Sequence, residues 1–281
     1  MHYRYLDYQR KKPRRTRILI LVAAAVLLGL WWFDVLAQPA CRDPVYLSFD
    51  TGNMSQAERI AATLRRHEVK ATFFLANEKT VRGDSALDAS WAGFWRERAA
   101  EGHAFGSHTW RHGRILADGA AGAVNYRPQF GAAAGRTIAL SPAEFCAELK
   151  QVDSVFRDLG GRGLDAIWRA PGGHTSANAL GAARACGYAH VAWARAGFLG
   201  DELPASQVSN AALLARALAD IRAGDVLMAH LGIWSRQPVW APTLDPLIAG
   251  LKERGFCFRP LTEHPQYAAT APHLSLAAGR P

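Results

Sequence analysis

The chain has 281 residues, 49% of them hydrophobic and 20% charged, which is ample for one large core such as a single α/β barrel. Its formal charge of +9 is unevenly placed: residues 1–17 hold seven Lys or Arg against Asp7 alone, so +6 sits there and +3 is spread over the rest. A basic tail without a basic folded face gives no case for binding nucleic acid, and the lack of any Cys-x-x-Cys pair argues against a thiolate zinc site.

Residues 1–17 read as a basic cytoplasmic tail, and residues 18–37 as a transmembrane anchor or signal segment. The run from Ile18 to Phe33 is sixteen residues without a charge, nearly enough to cross the hydrocarbon layer as a helix. Trp31 and Trp32 stand where an interfacial aromatic belt would lie, and the basic flank stays on the cytoplasmic side. A cleaved signal peptide, cut after Ala37 or Ala40, is the rival reading. The length of the run and its bulky Trp pair favour a retained single-pass anchor in the inner membrane. Both readings export the remainder to the periplasm or extracytoplasmic space. Four cysteines, at 41, 146, 186 and 257, can pair in such an oxidising compartment, with three connectivities open and buried free thiols also compatible. Cys41 precedes the first strand and Cys257 lies in the last, so a closed barrel would make a Cys41–Cys257 bridge feasible.

Residues 45–50 alternate bulky and β-branched side chains and end in Asp50 before Thr51-Gly52. They read as a buried strand delivering a carboxylate to a tight turn. Ser55-Gln-Ala-Glu58 has the form of a capping box opening a helix. Strands are expected at 71–75 and 103–107, with a helix carrying Trp91 and Trp95 between them. Residues 113–140 are dominated by Gly, Ala and Arg with little periodicity, and read as a long loop beside the site, a lid or substrate-facing insertion. Ser141-Pro142-Ala-Glu144 combines an N-cap, a first-turn Pro and an N3 Glu. It opens a helix with Phe145, Leu149, Val152 and Phe156 on one face. Further strands are expected at 165–169, 188–193, 225–229 and 256–259, with helices at 177–186, 210–222 and 244–254. The tail from 263 is Ala/Pro-rich and reads as loose. About seven strands alternating with helices predict a mostly parallel α/β sheet or barrel.

Asp50, His108, Arg169 and His230 all fall at or just past strand ends, which a barrel gathers on one face. His108 and His112 are four residues apart, a spacing that can aim two imidazoles at one metal ion. Asp50 could serve as general base toward an activated water, His230 as the acid that protonates a leaving amine, and Arg169 as the partner that keeps Asp50 charged. Each residue taken singly has a plainer reading: a helix cap for Asp50, a structural ion pair for Arg169, a satisfied core imidazole for His230.

Together they resemble the polysaccharide deacetylases of the NodB-homology type, carbohydrate esterase family four, over residues 43–262. Ser48-Phe-Asp-Thr-Gly52 is similar to that family's T-F-D-D-G motif and Ser107-His-Thr-Trp-Arg-His112 to its H-[ST]-x-x-H motif. Arg169-Ala-Pro171 is similar to R-x-P, and Met228-Ala-His230 to L-x-H. The resemblance implies a distorted (β/α) barrel and a divalent metal, zinc in the first instance. It also implies removal of acetyl groups from an N-acetylated glycan, either peptidoglycan or an exported polysaccharide. It assigns Asp50 as base, His108 and His112 as metal ligands with position 51 as the third, Arg169 as orienter of the base, and His230 as acid. A backbone N–H near Gly172 would join in stabilising the oxyanion. Three departures stand out. Thr51 replaces a ligand Asp, Gly172 replaces an aromatic after Pro171, and the Asp of the family's fourth motif has only Asp201 as a displaced candidate. Among nine Trp, Trp110 beside the histidines and Trp234 after His230 are the candidates for stacking on sugar, with Pro171 and Gly172 completing the substrate side. Thr51 also makes a non-catalytic glycan-binding relative, an envelope assembly factor, the alternative reading.

Overall fold

The computed structural model describes residues 41–268. Strand β1 (Pro44–Asp50) is buried from Val45 onward, as expected of a parallel strand covered on both faces. It pairs with β9 (Val226–His230) on one side and β2 (Thr72–Leu75) on the other, while β10 (Cys257–Phe258) takes its first two residues. From β2 the sheet continues through β3 (Ala104–Ser107), β7 (Ile167–Trp168) and β8 (Ala189–His190), every pairing parallel. Each of the seven expected strands is present, β7, β8 and β10 being shorter than the sequence suggests. The sheet curls: beyond β8, Ala194 N donates to Val226 O at 3.0 Å, Met228 N to Gly197 O at 2.8 Å and Leu199 N to Met228 O at 3.1 Å. Residues 194–199 thus bring the far edge back to β9 without forming a strand of their own.

Side chains alternate along each strand, and this divides the interior. Phe49, Phe73 and Phe105 point outward under the helices α1 (Ala57–Arg66), α2 (Ala92–Ala100), α5 (Asn210–Asp220) and α6 (Leu244–Glu253), in a cluster with Trp95 and Phe156. Tyr46, Phe74, Ile167, Val191 and Val226 form a separate cluster, into which Leu261 and Tyr267 insert. The ring of His264 stacks edge-on to Tyr46 at 4.5 Å. Residues 263–268 are therefore docked rather than loose, because Tyr267 is buried.

Two local expectations are corrected. Helix α1 starts at Ala57 behind Gln56, with no side-chain cap, because Asn53 Oδ1 accepts from Ser55 N at 3.0 Å and the backbone of 53–56 is bonded to Leu231 and Gly232. The capping box appears instead where expected on α3 (Pro142–Gly160), between Ser141 and Glu144. Residues 113–140 are not a loop but an antiparallel sheet of β4 (Arg114–Asp118), β5 (Val124–Arg127) and β6 (Ile138–Leu140). Ile115, Val124, Tyr126 and Leu140 bury one face of it against α3 and α4 (Ala177–Ala185), together with Phe145 and Trp168.

A Cys146–Cys186 disulfide ties α3 to the end of α4, with Cα atoms 6.1 Å apart. Cys41 and Cys257 are also disulfide-bonded and no cysteine is free. The expected anchor at 18–37 lies outside the described residues. Among the described residues no helix is long and apolar enough to cross a membrane.

Candidate active site

The carboxyl ends of β1, β3, β7 and β9 deliver the four strand-end residues to one place. Ser48 and Asp50 share the inward face of β1, two residues apart, and Arg169 reaches across to both. Its Nη1 donates to Asp50 Oδ1 at 2.8 Å, Nη2 to Ser48 Oγ at 2.8 Å and Nε to the Val191 carbonyl at 3.3 Å. The Ser48 hydroxyl in turn donates a hydrogen bond to the Leu227 carbonyl at 2.6 Å. The guanidinium is fully buried, lies 4.1 Å over the Phe74 ring, and has a partner for each nitrogen. Burial alone would raise the Asp50 pKa, but the positive charges of Arg169 and His230 outweigh it and hold the carboxyl below its usual range. Asp50 is a carboxylate at neutral pH.

The two histidines at the centre are driven in opposite directions. His108 Nδ1 lies 2.9 Å from the Arg169 carbonyl. A carbonyl only accepts, so Nδ1 carries the proton and Nε2 keeps its lone pair, 3.5 Å from Asp50 Oδ2. Burial pushes the His108 pKa down to about 4 against the pull of Asp50, so this imidazole is neutral. His230 is partly buried, which by itself favours the neutral ring, yet Asp201, with Asp50 and Glu202 behind it, pushes its pKa up to about 10. Asp201 accepts from His230 N at 2.7 Å and sits 3.2 Å from Nδ1 through each oxygen. The displacement of Asp201 in the sequence is therefore made up by the loop that carries it, residues 200–203 folding back on β9. Diverging protonation of neighbouring titratable groups marks the acid and base of a site.

His112 follows His108 on a loop with two non-glycine residues at positive φ, Thr109 (62°) and His112 (44°), a strained conformation that needs support. Glu148 on α3 supplies it, accepting from Arg111 N at 3.0 Å and Arg111 Nε at 2.7 Å. Tyr126 on β5 adds to it: its hydroxyl accepts from Gly113 N at 2.8 Å and stands 3.0 Å from both Thr109 Oγ1 and Glu148 Oε2. The rings of His108 and His112 are 4.9 Å apart, and His112 Nδ1 lies 2.7 Å from Gln129 Oε1. Thr51 is buried; its hydroxyl donates to Glu78 Oε2 at 2.6 Å and accepts from Ala76 N at 3.2 Å. Sequence reasoning missed Glu78, Glu148, Tyr126 and Gln129, all of which lie on segments without a motif. Ser48 could have been found from its place two residues before Asp50. Gly52 is fixed by close approach: at φ 55°, an added Cβ would stand 2.2 Å from the Gly232 carbonyl.

Among the described residues no three His, Cys, Asp or Glu side chains already form a metal-holding cluster. The donor chemistry nonetheless suits a divalent cation. His108 is neutral with a free Nε2, and both histidines have a carbonyl-type oxygen on their other nitrogen, the outer partner that metal-bound imidazoles usually have. The 3.5 Å between His108 Nε2 and Asp50 Oδ2 is too long for a good hydrogen bond.

Beside His112 opens a cleft of about 510 Å³, lined by Pro171 and Gly172, by Arg114 and Arg127 of the antiparallel sheet, and by Gln129 just after β5. Trp234 is 66% exposed and available for stacking. Trp110 instead packs against the main core and is held through its backbone, donating to the Glu148 carbonyl and accepting from Asn77 N.

The family model described as "Polysaccharide deacetylase" matches residues 37–191, more than half of the chain. A chitooligosaccharide deacetylase of Azorhizobium caulinodans is 27% identical over 228 residues, covering 77% of this chain and 92% of that one. Among solved structures, the Bc1960 peptidoglycan N-acetylglucosamine deacetylase superposes with a TM-score of 0.59 at 23% identity, over 79% of this chain and 88% of that one. A family 4 acetyl xylan esterase from Clostridium thermocellum, in complex with a cobalt ion, gives 0.58 at 21% identity, over 78% and 88%. At these identities the structural likeness establishes the fold.

Proposed function

The chain belongs to the polysaccharide deacetylases of the NodB-homology type (carbohydrate esterase family four), and from that premise we propose that it hydrolyses the acetamido groups of an N-acetylated glycan in the cell envelope. The observation that carries the reading is the placement of Asp50 and His230 as register partners on adjacent strands, the first bonded to Arg169 and the second to Asp201. Asp50, held ionised by Arg169, takes the proton of the attacking water. His230, charged through Asp201, gives its proton to the sugar nitrogen as the C–N bond breaks. The acetyl carbon leaves as acetate and the glycan keeps a free amine. The Gly172 N–H, beside the cleft, is the backbone donor assigned to the developing oxyanion. His108 and His112, with a carboxylate, would hold a divalent metal, zinc in the first instance, whose chemistry when bound is to polarise the amide carbonyl and lower the pKa of water.

The antiparallel sheet forms one wall of the cleft and supports the substrate-facing role given to residues 113–140, while Pro171, Gly172 and the exposed Trp234 furnish the other contacts. Two disulfides suit an oxidising compartment, and the apolar run at 18–37 supports export with a retained anchor. The test incubates the protein with peptidoglycan and with N-acetylglucosamine oligomers, and follows acetate and new free amines. Zinc, chelator and His108→Ala serve as controls. Release abolished by chelator and by the variant supports the reading; no release from any glycan returns the protein to the binding-factor alternative.

A further inference from the structure

We propose that the cleft beside His112 selects a glycan carrying a carboxylate on the sugar next to the N-acetylated one, and that Arg114 and Arg127 are the residues that read it. The proposal rests on the deacetylase reading above and deepens it, and binding measured apart from turnover keeps the two distinguishable.

Arg114 on β4 and Arg127 on β5 are register partners in an antiparallel pair. Their chain neighbours Ile115 and Tyr126 are buried against α3 and α4, so alternation puts both arginines on the open face. Both are exposed, and both line the cleft. Directly opposed residues on such strands have Cβ atoms about 5 Å apart, and like charges so placed destabilise a sheet. A nearby acid relieves that cost, as Glu148 does for Arg111 just before β4. Arg114 and Arg127 have no such partner. Among the described residues their side chains bond only to uncharged acceptors, Arg114 Nη2 donating to His174 Nε2 at 2.9 Å and Arg127 Nη2 to Thr137 Oγ1 at 3.3 Å. No described Asp or Glu lines the cleft.

A guanidinium only donates, so the His174 ring accepts through a bare Nε2 and adds no positive charge. His174 directly follows the Pro171–Gly173 turn, and its bond holds the Arg114 head across the cleft toward Gly172. Each arginine keeps most of its donors open. Two planar forks side by side suit one carboxylate far better than they suit neutral hydroxyls. His112 and Gly172 line the same cleft, so an anion bridging the arginines stands beside the sugar whose acetamido group is cut. Two merely solvated surface arginines would give no preference for an acidic glycan.

Two glycan chemistries present such a carboxylate: the lactyl ether of a muramic acid freed of its peptide, and the ring of a uronic acid. Full-length His230→Asn, which slows turnover, is titrated by calorimetry with N-acetylglucosamine oligomers, with peptide-free strands alternating N-acetylglucosamine and N-acetylmuramic acid, and with oligosaccharides alternating N-acetylglucosamine and glucuronate. Acetate release by the otherwise unaltered protein on the same ligands gives kcat and KM. We expect an acidic glycan to bind about 10-fold or more tighter than the neutral oligomer. The advantage should shrink as salt rises and should appear in KM rather than kcat. Arg114→Gln/Arg127→Gln should abolish it. Arg127→Glu sets opposite charges across the strands, which favours the fold, and should turn the preference toward the neutral oligomer. The acidic ligand that gains identifies the source of the carboxylate. Equal affinity for neutral and acidic glycans overturns the proposal, as does an acidic advantage that survives in these variants. An acidic advantage lost in the variants, with no acetate released from any ligand, sustains this assignment and defeats the deacetylase reading instead.

Discussion

Asp50 and His230 are register partners on β1 and β9, and the two strands stay bonded past them, Leu231 N donating to the Asp50 carbonyl at 2.9 Å. Neighbouring strands hold such partners about 5 Å apart. Base and acid are therefore set by sheet geometry rather than by flexible loops, and each has its own buried partner, Arg169 for one and Asp201 for the other. That arrangement gives two groups of opposite protonation a fixed separation, as a reaction that takes a proton and returns one requires.

Removing Arg169 leaves Asp50 buried and unpaired. Breaking a buried pair from one side typically costs about 3–5 kcal/mol, so Arg169→Ala should unfold at markedly lower denaturant concentration and lose activity. Arg169→Lys keeps a charge but cannot serve Asp50, Ser48 and Val191 at once, and should be intermediate in both. Chemical denaturation and acetate release on the same preparations check this.

Asp201 controls the alkaline side. With the His230 pKa at about 10, activity that needs the imidazolium should persist through pH 9 and fall as pH passes about 10. Asp201→Asn removes the main charge holding the proton, so the alkaline limb should move down toward neutral pH while Asp50 is untouched. The linked stability has the same sign: it is fully present below the ordinary histidine pKa of 6.5 and is lost as pH rises through about 10. A pH–rate profile of wild type against Asp201→Asn reads it directly.

The acid side is governed by buried neutral histidines away from the chemistry as well as in it. His103 Nδ1 accepts from Ala71 N at 3.0 Å, so protonating it breaks a buried hydrogen bond, and burial lowers its pKa to about 4. Its stabilising effect is complete above pH 6.5 and is lost as pH falls through about 4, at most on the order of 3 kcal/mol. Thermal melts from pH 7 down to pH 4 should show a steep fall. The fall should be smaller in a His103→Gln variant that retains the Ala71 contact.

Reduction should cost stability without touching the site. The Cys146–Cys186 bridge spans 40 residues and is worth about 2–4 kcal/mol by loop entropy. The melting difference between wild type and Cys146→Ser/Cys186→Ser, both without reductant, gives the figure.

Much of this was legible in the sequence. The seven parallel strands declare themselves by alternation and by the glycines that end the helices between them. Asp50, His108, Arg169 and His230 are each placed by the strand that precedes them. Residues 113–140 mislead because Gly, Ala and Arg outnumber the four apolar residues, Ile115, Val124, Tyr126 and Leu140, that make the sheet fold. Glu78 is hidden, and Asp201 shows only as a displaced candidate, for a different reason. Both act from loops, and their partners, His230 and Thr51, lie 29 and 27 residues away, so no local pattern joins them. Only the packing of the loop after β2 against the turn after β1 shows that a threonine and a distant glutamate form one unit.

The central claim is that Asp50 and His230 divide the proton transfers of amide hydrolysis. The most direct measurement is acetate release from N-acetylglucosamine oligomers by the wild type, Asp50→Asn and His230→Asn, each shown to be folded and to bind the glycan. We expect release by the wild type and a drop of about 10²–10⁴-fold in each variant, with glycan affinity nearly unchanged. Release that survives both substitutions, or a wild type that binds glycan and metal and frees no acetate, would contradict the account.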